Sequence, residues 1–287
     1  MGRGDVARCS APAESPAGLA ADCRAPARSD AAPGVNPALS TSGLARIREF
    51  VGGRSLLAFD IDGTLAPIVA RPWDAHIPDE LQVRLAALTA TRTVAIITGR
   101  AIADAKPMLG FSPRYLIGNH GAEGVPGFES ASATYARDCS KWLEELRGDN
   151  EAWRASPGIT LEDKAYSIAF HYRQAQPREA ALRLVEERAT RLVPLPRLIH
   201  GNCVLNLVPR EAPHKGDALR ALLAHSGCER SFYVGDDVTD EDVFRLKLPA
   251  MLSVGIDPEP GSAADLFLPD QGEVIRLLDE VTKMIGR

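Results

Sequence analysis

The stretch that most restricts the fold is a short apolar run that ends in two acids, SLLAFDID, at residues 55–62. Runs this short, bounded by turn residues, are typical of strands that are buried on both faces. Similar runs occur at 93–98, 115–118, 231–236 and 250–255. Helical patterns lie at 78–90, 215–226 and 240–246. Strands that alternate with helices predict an α/β fold with a doubly wound parallel sheet.

The middle of the chain follows a different order. We predict a helix near 138–155, two strands within 158–173, a helix near 177–192 and two strands within 197–209. We interpret this α-β-β-α-β-β block as a smaller α/β cap domain inserted in the parallel-sheet core. The predicted domains are a core at 44–122 and 208–287 and a cap at 123–207.

Residues 1–43 are rich in Ala, Pro, Ser, Gly and Arg and contain few large apolar side chains, which predicts a disordered tail. No stretch approaches the roughly 18 consecutive apolar residues of a membrane helix, and the start lacks the apolar centre of a secretion signal. The formal net charge of −5 argues against a nucleic-acid or anionic lipid surface. The cysteines show no CxxC spacing. We therefore expect a cytoplasmic protein with reduced thiols that binds neither nucleic acid nor membrane.

Polar segments follow four of the predicted strands, at the edge where parallel sheets bind ligands. They are DID at 60–62, TGR at 98–100, GNHGAE at 118–123 and GDDVTDED at 235–242. Four of their acids would converge: Asp60, Asp62, Asp236 and Asp237. Each pair would repel by about 4 kcal/mol at ~4 Å and an effective dielectric of about 20, which a divalent cation would offset. Mg²⁺ suits such oxygen ligands when it also keeps waters and a phosphate oxygen.

These residue types suit phosphoryl transfer. Asp60 can attack phosphorus to form an aspartyl-phosphate. Asp62 can protonate the leaving oxygen and later take a proton from water. Thr98 can donate a hydrogen bond to the transferring group, and Lys215 can stabilise its charge. Without the aspartates, Lys215 would be interpreted as a solvated lysine at a helix end.

The ordered motifs DIDGTL, ITGR, HKGDAL and GDDVTDEDVF resemble those of haloacid dehalogenase-like phosphatases. This resemblance implies a Rossmann-like core. A cap between the second and third motifs marks the subgroup with an α/β cap, and here the inserted block lies between Arg100 and Lys215.

More narrowly, residues from about 45 to 285 are similar to trehalose-6-phosphate phosphatases, through GNHGAE, LEDKAYSIAFHYR and GDDVTDEDVF. The resemblance implies Mg²⁺-dependent hydrolysis of trehalose 6-phosphate in trehalose biosynthesis, with a functional link to the synthase. It implies that Asp60, the backbone carbonyl of Asp62, and Asp236 hold Mg²⁺, with Asp237 and Asp240 farther from the ion. The implied substrate contacts are Gly99, Arg100, Asn119, His120, Glu162, Lys164, Arg173 and Asn206.

The cap residues have a simpler interpretation, because periodicity alone favours exposed charges on a two-stranded ribbon for Glu162, Lys164 and Arg173. His120 could likewise be a turn residue. Asn206 departs from the family pattern, which usually has glutamate there, so a charged group for sugar recognition is missing.

Two alternatives therefore stay open. The first is another sugar-phosphate phosphatase with the same type of cap, acting on sucrose phosphate, mannosylglycerate phosphate or a monosaccharide phosphate. The second is a non-catalytic sugar-phosphate sensor or regulatory partner of the synthase. The presence of Asp60, Asp62, Lys215 and Asp236 together favours an enzyme.

Overall fold

The computed structural model describes residues 36–69, 71–149, 153 and 156–286. In chain order its strands are β1 (Asn36–Pro37), β2 (Ser55–Phe59), β3 (Thr93–Ile97), β4 (Tyr115–Ile117), β5 (Thr160–Asp163), β6 (Ile168–His171), β7 (Pro196–Gly201), β8 (Val204–Pro209), β9 (Arg230–Gly235), β10 (Met251–Ile256) and β11 (Leu266–Leu268). The helices are α1 (Thr41–Val51), α2 (Asp79–Thr89), α3 (Ile102–Ala105), α4 (Glu129–Gly148), α5 (Arg178–Ala189), α6 (Lys215–Ser226), α7 (Glu241–Phe244) and α8 (Val274–Ile285). Short 3₁₀ turns lie at Pro72–Asp74, Lys106–Met108, Asn119–Gly121 and Gln271–Glu273.

The larger sheet is parallel, with the strand order β1-β11-β10-β9-β2-β3-β4. Both of its faces are buried. Along β2, Leu57 and Phe59 pack with α1, α2 and α8, whereas Leu56 and Ala58 pack with α6 and α7. Burial on both faces explains why these strands are apolar at every position rather than at alternate ones.

The smaller sheet is antiparallel, with the order β5-β6-β8-β7. One of its faces, including Phe170 and Leu205, packs against Trp142 of α4 and Val185 of α5 in a separate apolar cluster. The prediction of a doubly wound α/β core with a smaller α/β cap is therefore confirmed. The domain boundaries at residues 123 and 207 stay predictions.

The N-terminal boundary of the core needs a correction. Residues 36–43 were predicted to belong to the disordered tail, but β1 pairs with β11, Ala38 is fully buried, and Ser40 caps α1 by accepting the amide hydrogen of Gly43. Pairing and capping thus order a segment whose composition is typical of a tail. The rest of that predicted tail, residues 1–35, lies outside the described residues.

The first cap helix also differs from the prediction of residues 138–155. It begins at Glu129 and ends at Gly148. The first turns were not predicted because their sequence, ESASA, has no large apolar side chain. Further along the helix, Tyr135, Cys139 and Trp142 form one buried stripe. None of the described helices combines the length and the apolar character that crossing a bilayer requires.

Candidate active site

A tight turn follows β2 and holds the first acidic segment at the edge of the sheet. The carbonyl oxygen of Ile61 accepts the amide hydrogens of Leu65 and Ala66, at 2.8 and 2.7 Å. Gly63 has a φ of +82°, and a Cβ atom at this position would lie 1.9 Å from Oδ2 of Asp236. Glycine is therefore required both for the backbone conformation and for the close approach of the acid from the loop after β9.

Asp60 lies at the centre of the acidic cluster. It is 4% exposed, and its Oδ1 atom is buried without a hydrogen-bond partner in the described part of the chain. Oxygens of Asp60, Asp236 and Asp240 lie within 4.8 Å of one another. Burial raises the pKa of Asp60 to about 8 against the opposing charge of Lys215, while Asp240 and Asp62 raise it further. The cluster therefore needs positive charge when Asp60 is ionised.

Lys215 supplies one such charge. Its Nζ atom lies 3.2 Å from Oδ2 of Asp60 and 2.7 Å from Oδ1 of Asp240. Burial by itself would lower the pKa of Lys215, but Asp240 and Asp60 hold it above its ordinary value. The buried lysine is thus charged and joins two acids. The alternative interpretation of Lys215 as a solvated lysine is wrong, because only 2% of its side chain is exposed.

Asp240 is fully engaged by the protein. Its Oδ1 accepts hydrogen bonds from Lys215 and from the hydroxyl of Tyr233, and its Oδ2 accepts the amide hydrogens of Asp236 and Asp237, each at 2.9 Å. Asp240 therefore fixes the loop after β9 and the lysine. Thr64 donates to Oδ1 of Asp236 at 2.9 Å, which orients that carboxylate in turn.

The cluster has the chemistry of a hard-cation site. Its donors are carboxylate oxygens, the ligands that Mg²⁺ and Ca²⁺ prefer, and Oδ1 of Asp60 lacks a partner although it is buried. Burial, together with Asp60 and Asp240, also raises the pKa of Asp236 well above its ordinary value. The cluster could therefore bind a metal ion, which would compensate the charge that Lys215 leaves unbalanced.

The TGR segment lies after β3, beside β2. Thr98 is fully buried, and its hydroxyl accepts the amide hydrogen of Arg100 at 3.2 Å. The guanidinium of Arg100 donates to both oxygens of Asp62, at 2.7 and 2.6 Å. The sequence predicted Arg100 as a substrate contact and gave no sign of this pairing, because the two residues are far apart along the chain.

Asn119, which was also predicted to contact substrate, joins the core loop after β4 to the hairpin that β5 and β6 form in the cap. Its amide group donates to Glu123 at 2.8 Å and to the carbonyl of Lys164 at 3.1 Å, while its carbonyl accepts from Ser167 at 2.5 Å. The side chain is fully buried. These bonds use both amide hydrogens, and the substrate contact of Asn119 stays a prediction.

His120 follows Asn119, with a φ of 58° that places it in the left-handed region. Its ring packs against Gly99, where a Cβ atom would lie 2.3 Å from the ring Cε1. Burial lowers the pKa of His120 well below its ordinary value, and the charges of Lys215, Lys164 and Arg197 lower it further. The ring is therefore neutral and lies between the core lysine and the cap.

The cap hairpin, which β5 and β6 form, brings some of the predicted cap residues close to Gly99 of the core. Nζ of Lys164 lies 3.4 Å from the carbonyl oxygen of Gly99, 3.5 Å from Oδ1 of Asn206 and 4.0 Å from Oε2 of Glu162. Arg173 lies beyond the other end of β6, where its Nη2 donates to the carbonyl of Asn202 at 3.1 Å. The structure thus places Glu162, Lys164 and Asn206 together and leaves Arg173 apart from them.

Two groups near this cluster were not singled out from the sequence. His171, at the end of β6, contacts Glu162, with 2.6 Å between Nε2 and Oε2. Arg197, on β7, contributes to the low pKa of His120 and lies 3.5 Å from the carbonyl oxygen of Pro213. Periodicity on β7 would have marked Arg197 as a cation on the face of Asn206, since Ile199 pairs with Asn206.

Comparisons with known proteins find a matching family model and similar sequences. A family model described as trehalose-phosphatase matches residues 58–268. Trehalose-6-phosphate phosphatase of Escherichia coli (strain K12) is 32% identical over 195 residues, which cover 65% of this chain and 71% of the relative. A probable trehalose-phosphate phosphatase of Sinorhizobium fredii is 33% identical over 229 residues, which cover 77% of this chain and 84% of the relative.

A solved structure extends the comparison to the fold. The C-terminal domain of the trehalose-6-phosphate phosphatase of C. albicans superposes with a TM-score of 0.68 at 21% identity, covering 87% of this chain and 99% of that domain. At this identity the likeness concerns the fold alone.

Proposed function

This chain belongs to the trehalose-phosphatase family of phosphatase enzymes, and from that premise we propose that it hydrolyses trehalose 6-phosphate to trehalose and phosphate, as a step of trehalose biosynthesis. One observation carries the proposal. Oδ1 of Asp60 is buried and has no hydrogen-bond partner among the residues that the structure describes. Oδ2 of the same carboxylate lies 3.2 Å from Nζ of Lys215, at the ligand-binding edge of the sheet. Lys164 of the cap lies 3.4 Å from the carbonyl oxygen of Gly99 at that edge.

In the proposed reaction, a carboxylate oxygen of Asp60 attacks phosphorus, and the sugar oxygen leaves with a proton from Asp62. Water then attacks the aspartyl-phosphate and gives its proton to Asp62, which releases phosphate and restores Asp60. Lys215 offsets negative charge on the transferring group, and Thr98 donates a hydrogen bond to it. Splitting the displacement into two steps lets one carboxylate act as acid and then as base.

We propose Mg²⁺ as the cation, held by Asp60, the backbone carbonyl of Asp62, and Asp236, with Asp237 and Asp240 farther from it. When bound, it would supply positive charge to the phosphoryl oxygens and orient the phosphate. Asp240 supports this proposal because its oxygens accept four hydrogen bonds from the protein, so its part is to hold Lys215 and the loop.

The sugar would bind between the core and the cap, where Glu162, Lys164, Asn206 and His120 offer hydrogen-bonding groups. Asn206 is 4% exposed, and its Oδ1 lies 3.5 Å from Nζ of Lys164. A neutral amide at this position favours keeping the other capped sugar-phosphate phosphatases as a second candidate. The sensor is a third candidate, and the link to the synthase and the cytoplasmic location are proposed with the function.

A panel of sugar phosphates tests the proposal. Phosphate release would be measured with trehalose 6-phosphate, sucrose phosphate, mannosylglycerate phosphate and glucose 6-phosphate, each with Mg²⁺ and with EDTA. We expect the highest kcat/KM for trehalose 6-phosphate and no turnover in EDTA. A higher kcat/KM for another sugar phosphate would contradict the substrate, and full activity in EDTA would contradict the metal. Binding without turnover of any member would favour a sensor.

A further inference from the structure

His171 forms a close pair with Glu162 on the face of the cap sheet that borders the cleft between the core and the cap. The distance from its Nε2 to Oε2 of Glu162 is 2.6 Å. Glu162 lies opposite Ala169 in the pairing of β5 with β6, and His171 is two positions further along, so both side chains project from one face. The same face carries Asn206, which pairs with Ala169 on the next strand.

This pair keeps the acid at a distance from the neighbouring lysine. Oε2 of Glu162 is 4.0 Å from Nζ of Lys164, which is longer than a hydrogen bond. Lys164 instead approaches the carbonyl oxygen of Gly99 at 3.4 Å and Oδ1 of Asn206 at 3.5 Å. In the part of the chain that the structure describes, Oε1 of Glu162 has no hydrogen-bond partner. One acceptor and one cation are thus held side by side without a hydrogen bond between them.

Glu162 is ionised in this arrangement. Burial acts to raise its pKa, but the hydrogen bond with His171 and the charges of Lys164, His171 and Arg100 hold the pKa below its ordinary value. An ionised carboxylate is a strong acceptor for a hydroxyl group. Without His171, attraction between Glu162 and Lys164 would draw the two together and remove that acceptor.

We propose that His171 is a positioning residue that determines sugar specificity, because its Nε2–H donates to Oε2 of Glu162 and leaves Oε1 to accept a sugar hydroxyl. The inference rests on the proposed function, since it gives Glu162 a contact with the sugar. His171 itself does not touch the reacting atoms. It acts by fixing the carboxylate opposite the phosphate site.

The cap offers a matched control on its other face. His200 on β7 lies 3.6 Å from Glu186 of α5, between Nε2 and Oε1. His200 pairs with Leu205, whose side chain packs in the cap's apolar cluster, so it projects from the face opposite Asn206. A histidine next to a glutamate thus occurs on both faces of one sheet, and only one of them lies by the cleft.

The experiment compares wild type with His171→Phe, His171→Gln and His200→Phe. Each is assayed with Mg²⁺ on trehalose 6-phosphate and on p-nitrophenyl phosphate, which has no sugar, and each melting temperature is recorded. For His171→Phe we expect KM for trehalose 6-phosphate to rise about tenfold, and the ratio of kcat/KM for the two substrates to fall about tenfold. Glutamine places an amide donor near the position of Nε2, so His171→Gln should restore most of the ratio. His200→Phe should leave it unchanged.

A double-mutant cycle with Glu162→Gln isolates the route of the effect. If His171 acts through Glu162, adding His171→Phe to Glu162→Gln should lower the ratio no further. A wild-type ratio in His171→Phe, an equal loss in His171→Gln, or a further tenfold loss in the double variant would each overturn the inference. Failure of the wild type to hydrolyse trehalose 6-phosphate would instead contradict the proposed function, so the two failures are distinguishable.

Discussion

Arg100 grips Asp62 with two hydrogen bonds, 2.7 Å from Nε to Oδ2 and 2.6 Å from Nη2 to Oδ1. Both oxygens of Asp62 accept hydrogen bonds in this bidentate pair, which fixes the orientation of the carboxylate. In the second half of the proposed reaction, Asp62 takes a proton from water. Holding the carboxylate in place therefore serves the step that breaks the aspartyl-phosphate.

Replacing the guanidinium should therefore slow the second half-reaction. In Arg100→Met, we expect kcat to fall about tenfold for trehalose 6-phosphate and for p-nitrophenyl phosphate alike, because both share the same phosphoenzyme. Stopped-flow measurements should show a burst of p-nitrophenol followed by a slower steady rate. Arg92→Met is a control, since Arg92 bonds to backbone carbonyls of Val51 and Thr91 at the other end of β3. A variant with unchanged kcat and no burst would remove Arg100 from this role.

Activity should require Gly63 not only for its backbone conformation but also for the close approach of Asp236. In Gly63→Ala, the new methyl group would lie 1.9 Å from Oδ2 of Asp236, so that acid must move. Gly53→Ala is a close match, because its φ of +62° carries similar strain and no atom lies within 4 Å of the added carbon. We expect Gly53→Ala to lose about 1 kcal/mol in the free energy of unfolding, because of its strained backbone. Gly63→Ala should lose more than this, and it should also lose phosphatase activity. Equal activity in the two variants would show that the approach of Asp236 is unimportant.

Asp60→Asn should lower kcat by at least about a thousandfold, because an amide cannot form the phosphoenzyme. Asp237→Asn is the matched change, since Oδ1 of Asp237 accepts the amide hydrogen of Val238 at 2.7 Å and has no proposed covalent role. Phosphate release would be measured for both, and circular dichroism would check that each is folded. Substantial turnover by Asp60→Asn would exclude Asp60 as the nucleophile.

The raised pKa of Asp60 also predicts how stability depends on pH without divalent cations. Between its ordinary value of 3.8 and about 8, the folded state keeps a proton that the unfolded state has lost. The free energy of unfolding therefore falls as pH rises through this window. In EDTA we expect the melting temperature to decrease from pH 5 to pH 8, with a flatter profile in Asp60→Asn. Mg²⁺ should stabilise the protein more at pH 8 than at pH 5, and a melting temperature that rose with pH in EDTA would contradict the assignment.

The sequence predicted the parts of this molecule that depend on short-range pattern. Strands buried on both faces are continuous apolar runs, so β2, β3, β4, β9 and β10 were found within a residue or two of their bounds. The polar segments that follow these strands were found as well, because each begins where an apolar run ends. Parallel topology then placed Asp60 near Asp236 without any knowledge of side-chain contacts.

The sequence predicted two strands within 158–173, but neither the position of the turn between them nor how this hairpin docks on the core. In LEDKAYSIAFHYR, the turn near Ala165, with a φ of 64°, sends β6 back along β5. Arg173 therefore lies at the opposite end of β6 from Lys164, although the motif suggested that both residues contact the sugar together. Pairs such as Arg100 with Asp62 join distant segments, so no local period reports them.

The N-terminal segment gives a final test, because β1 and the cap of α1 lie within residues that were predicted to belong to the tail. Removing residues 1–35 should leave activity and the melting temperature close to those of the full chain. Removing residues 1–43 deletes β1 and the cap that Ser40 provides for α1, whose Ile47 and Val51 are fully buried. We expect this second truncation to lose at least about 1 kcal/mol in the free energy of unfolding, with Ser40→Ala reproducing the share that the cap contributes. Urea unfolding of the three proteins would measure this difference, and equal stability of the two truncations would show that β1 and the cap contribute nothing.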